Sequence, residues 1–80
     1  MMKRKVYRVV CFADGGKIVE HRYSWNAALA AIPEIIRANF GGRWTETIAR
    51  WEKHQRHHVG GSSQWADEGG NKLNFSIYIN

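Results

Sequence analysis

The nine residues Lys72-Leu73-Asn74-Phe75-Ser76-Ile77-Tyr78-Ile79-Asn80 decide the fold. Leu73, Phe75, Ile77 and Ile79 alternate with Asn74, Ser76, Tyr78 and Asn80, and successive side chains on a strand point to opposite faces. One face is therefore buried and the other wet, which is the pattern of an antiparallel strand covered on one side. Upstream, residues 59–71 hold four glycines, two serines and the acidic pair Asp67-Glu68. They are expected to form a long mobile loop.

At the other end, residues 5–12 carry Val6, Tyr7, Val9, Val10 and Phe12, all β-branched or aromatic. The cluster Ala13-Asp14-Gly15-Gly16 follows, and residues 17–23 resume a strand pattern. Two strands around a glycine-containing turn predict a β-hairpin. Ser24 is the expected N-cap of a helix. Trp25, Leu29, Ile32, Ile36 and Phe40 then recur at helical spacing, with Ala28 and Ile35 widening the stripe. Pro33 interrupts it by removing an amide donor, so the helix either kinks or divides into two short ones. Gly41-Gly42 is the expected stop.

Residues 43–58 place Trp44, Ile48, Trp51 and Gln55 at helical spacing, with Glu46 and Arg50 as a supporting i, i+4 pair. A strand over residues 44–51 competes, because Thr45, Thr47 and Ile48 are β-branched; the helix is favoured. The order β-β-α-α-β predicts an α+β fold in a single domain, 1–80. It is a small two-layer domain with a three-stranded antiparallel sheet and one or two helices on one face. The last strand is expected beside the first, over a core of Leu29, Ile32, Ile36, Phe75, Ile77 and Ile79.

Composition bounds the function. Eighty residues allow a thin core, since chains of this size bury only about 60% of their unfolded surface. Hydrophobic residues at 44% and charged ones at 24% are the balance of a folded domain. The single cysteine, Cys11, cannot form an internal disulfide, which excludes a disulfide-stapled scaffold. No apolar run approaches 18 residues and no secretory leader is read, so no membrane span and a cytoplasmic setting are expected.

Catalysis and cofactors find little footing. His54 and His58 have the i, i+4 spacing of a zinc pair, but Lys53 and Arg56 beside them repel a dication and no third ligand is spaced to help. Cys11 lies in a predicted strand among apolar neighbours, and Ser62 and Ser63 lie in the predicted loop. The four Gly-Gly pairs fit no nucleotide-binding pattern. No enzyme activity, metal or cofactor is expected.

Binding is the stronger expectation. The net charge is +5 and the pI about 9.8, with cations at Lys3, Arg4, Lys5 and Arg8 and again at Arg43, Arg50, Lys53 and Arg56. Such stripes suit polyanions, and Trp44, Trp51 and Trp65 could stack on bases. A small basic nucleic-acid-binding domain, contacting phosphate through Lys and Arg with Trp stacking, is one outcome. Trp65, on a polar stretch, is either an interface anchor or a cap on the core edge. Arg43, Trp44, Arg50, Lys53, Arg56 and Trp65 make up the predicted partner-binding patch.

A stand-alone chain of this length with no catalytic pattern and a compact β-β-α-α-β order resembles the small phage- and prophage-encoded inhibitors of the anti-CRISPR kind. The resemblance implies stoichiometric docking on a host protein or nucleoprotein complex, a Cas effector, in the host cytoplasm. Target DNA recognition or nuclease recruitment would be blocked by a monomer or weak dimer. Many such inhibitors are acidic and imitate DNA. This chain is basic, so steric occlusion of a protein surface is the form that fits.

Overall fold

The computed structural model describes residues 5–54, 62–67 and 69–79. Strand β1 (Tyr7–Ala13) and strand β2 (Gly16–Arg22) form the predicted hairpin. Asp14 and Gly15 lie between them at φ 50° and 80°, the left-handed pair that a tight turn of right-handed twist requires. Helix α1 (Trp25–Asn39) opens on Ser24, whose Oγ accepts from the Ala27 amide at 3.1 Å. It runs through Pro33 as one helix, and Pro33 is buried. Gly41 at φ 73° then breaks the helical path. A 3₁₀ turn (Gly42–Trp44) leads into helix α2 (Thr45–His54), so helix rather than strand is realised over these residues.

The sheet has four strands, not three. Strand β3 (Ser62–Ala66) occupies part of the predicted loop and pairs antiparallel with strand β4 (Lys72–Ile79), giving the order β2-β1-β4-β3. With β1 on one side, β4 would otherwise leave a row of backbone donors and acceptors unpaired, and residues 62–66 satisfy it despite their weak strand propensity. The last strand does lie beside the first, with Cys11 opposite Phe75 and Arg8 opposite Tyr78.

Both helices cover the same face. Val9, Cys11, Ala13, Leu73, Phe75 and Ile77 meet Leu29, Ile32 and Ile36 of α1 together with Trp44, Ile48 and Trp51. Trp51 packs edge-on against Phe75, with ring centroids 5.0 Å apart. Ile79 departs from expectation: it keeps the inward register but is the last residue of β4 and is 61% exposed. Among the described residues no helix is long and apolar enough to cross a membrane.

Candidate binding surfaces

The predicted patch is assembled only in part. An open groove of about 770 Å³ separates α2 from the β3–β4 turn, and Arg43, Arg50, Lys53, Ala66 and Asp67 line it. Arg50 donates from Nη2 to the Ala66 carbonyl at 3.3 Å and holds its guanidinium 5.9 Å from the Trp65 ring. Arg43, Arg50, Lys53 and Trp65 are thus neighbours of one concavity. Trp65 itself is half-buried on the helix-covered side of β3 and packs against the core.

Trp44 leaves the patch. It is fully buried, and its indole Nε1 donates to Oδ2 of Asp14 at 3.0 Å. It lies inward with Ile48 and Trp51, whose helical spacing it shares. Arg56, His57, His58 and residues 59–61 lie outside the described residues, as do Lys3, Arg4 and Glu68.

Arg43 is committed to structure. It meets Oδ1 of Asp14 at 3.0 Å through Nη1 and Oδ2 of Asp67 at 3.2 Å through Nε, linking the β1–β2 and β3–β4 turns. Asp67 also accepts from the Gly69 and Asn71 amides at 2.9 Å. Desolvation works against its ionisation, but the Asn71 and Gly69 hydrogen bonds and the Arg43 charge outweigh it and hold the carboxyl below its ordinary range. Arg50 and Lys53, with Glu46, supply the charge that the groove offers to a partner.

A second surface lies on the other side of the sheet. Cross-strand register puts Arg8, Val10 and Phe12 of β1, Lys17, Val19 and His21 of β2, and Lys72, Asn74, Ser76 and Tyr78 of β4 on the face turned away from the helices. No described helix packs there. Phe12, Val19 and Tyr78 are each more than two-fifths exposed, while Val10 and Ser76 between them are buried. Each ring has a cross-strand cation: the Arg8 guanidinium lies 4.8 Å from the Tyr78 centroid and the Lys17 Nζ 5.5 Å from that of Phe12. At exposed sites such contacts contribute about 0.5–1 kcal/mol, less than the roughly 1–3 kcal/mol of a base stacked on an aromatic ring. A shallow cavity of about 370 Å³ at the β1–β2 end is lined by Phe12, Lys17, Lys72, Asn74 and the turn residues. The alternation in β4 was the signal available in the sequence; which strands would lie side by side was not.

Among the described residues no three of His, Cys, Asp and Glu converge. The Cys11 thiol is pushed up to about 12, by burial first and then by the charge of Glu20, so it stays protonated near neutrality. Comparison with protein-family models, curated proteins and solved structures finds no match.

Proposed function

We propose that this chain is a non-enzymatic binding protein that docks on a host nucleoprotein complex and blocks it sterically, in the manner of the anti-CRISPR inhibitors it resembles in length and layout. The groove carries the proposal. Its α2 wall presents Arg50 and Lys53, and its opposite wall is a turn stiffened by Asp67 and Arg43. A braced concavity with cations on one wall suits an acidic surface of a protein subunit. Cations at such a rim mainly raise the association rate and set register. The protonated thiol of Cys11 supports a binder over a nucleophilic catalyst.

Titration into purified, guide-loaded CRISPR effector complexes tests the proposal, with target-DNA binding as the readout. The expected outcome is loss of target binding by one complex at a fixed protein-to-complex ratio. Arg50→Glu combined with Lys53→Glu should slow association with that complex while circular dichroism stays unchanged. Full target binding by every complex at saturating protein would overturn the proposal.

A further inference from the structure

We infer that the face of the sheet turned away from the described helices is a binding site for single-stranded nucleic acid, separate from the groove. Three observations converge on it. The first is charge. Arg8, Lys17 and Lys72 stand on this face, and none of the strand positions that build it carries a carboxylate. Glu20 lies on the opposite face, opposite Val9. Asp14 borders the cavity beside Phe12, but both its oxygens are engaged by Arg43 and Trp44 on the helical side. A surface with cations and no opposing charge is complementary to phosphate.

The second observation is aromatic. Phe12 and Tyr78 are exposed on the two central strands, β1 and β4. Arg8 lies opposite Tyr78, so the two rings are separated by four residues along β1, about 13 Å of strand. Bases stacked in a duplex are spaced at about 3.4 Å and hide their faces from side chains. Rings this far apart suit a splayed strand, with one base on each ring and intervening nucleotides between.

The third is shape. The cavity beside Phe12 combines a stacking ring, two lysines and the Asn74 amide, which already accepts from Gln64 Nε2 at 3.1 Å. It can seat one nucleotide once Lys17 swings off the ring, with its base on Phe12 and its phosphate between Lys17 and Lys72. At the other end of the face a base displaces Arg8 from Tyr78 and frees the guanidinium for the next phosphate. Arg8 Nε has no hydrogen-bond partner among the described residues, so that exchange breaks no bond at this nitrogen.

Fluorescence anisotropy decides the matter, using a labelled oligothymidylate of about twelve nucleotides, within the range of single-strand site sizes. The oligonucleotide should bind the protein alone and more tightly than a duplex of equal length. Its log affinity should fall with log salt at a slope of about −2, as three phosphate contacts on a single strand require. Phe12→Ala and Tyr78→Ala should each weaken binding on the order of tenfold, whereas Tyr78→Phe should retain it. Lys17→Glu with Lys72→Glu should weaken binding and flatten the salt slope. Arg50→Glu with Lys53→Glu, in the groove, should change little. Thymidine monophosphate should compete only at far higher concentration than the oligonucleotide. No binding at low salt, equal affinity for duplex, a monophosphate binding as tightly as the oligonucleotide, or folded Phe12 and Tyr78 variants that bind normally would overturn the inference.

Discussion

Trp44 and Trp51 are both buried to within 1% of complete exclusion from solvent, but their indole nitrogens fare differently. Trp44 Nε1 donates to Asp14, while Trp51 Nε1 has no partner among the described residues. A buried donor without an acceptor costs about 1–3 kcal/mol. Trp51→Phe removes that donor while keeping an aromatic against Phe75, so the relief offsets part of the lost volume. Trp44→Phe instead takes a donor from a carboxylate and leaves Asp14 with Arg43 alone. Urea melts should therefore show a smaller loss of stability for Trp51→Phe than for Trp44→Phe. The reverse order would mean that packing volume outweighs hydrogen bonding at both sites. The tryptophan spacing marks both residues as members of a helical stripe; which indole meets an acceptor depends on a turn thirty residues upstream.

Among the elements, the β3–β4 turn holds a carboxylate whose state depends on the fold. Asp67 accepts the Gly69 and Asn71 amides and pairs with Arg43, and its carboxyl is held below the ordinary value of 3.8. A carboxylate with a lowered folded-state pKa contributes stability that is present above the unfolded pKa and lost as pH falls through the folded one. Wild type should thus hold its stability advantage over Asp67→Asn from neutrality down to about pH 4 and lose it progressively below. Thermal melts of both proteins across that window check it, and a constant difference down to pH 2 would count against the assignment. Strand β3, which ends at this turn, escaped detection because Ser62-Ser63-Gln64-Trp65-Ala66 lacks a run of β-branched residues. Its strand state is imposed by the free edge of β4. Residues 72–79 and α1 were legible because their periodicity is local and one-sided.

At the scale of the molecule, one core serves both helices and all four strands. Ile36 is fully buried in it and Phe75 lies at its centre against Trp51. Ile36→Ala should cost about 2–5 kcal/mol, with helix and sheet lost in one transition. Coincident denaturation curves by far-ultraviolet dichroism and tryptophan fluorescence would show this; separated curves would point to two independent units. Charge and aromatic surface divide across the sheet in a way composition conceals. The helical side mixes Glu34, Glu46 and Glu52 with Arg37, Arg43, Arg50 and Lys53, while the strands of the opposite side present Arg8, Lys17 and Lys72 around two rings and no carboxylate. The amino-acid order by itself determined the α+β class, the hairpin, the helix start at Ser24 and the one-sided strand at the end, because each rests on neighbours within a turn or a pleat. Tertiary structure alone decided the fourth strand, the acceptor that Trp44 meets and the placing of Phe12 and Tyr78 on one face. Those depend on which strands pair and in what register, a choice made by backbone hydrogen bonds between segments distant in sequence and by a single core too small to bury both faces of the sheet.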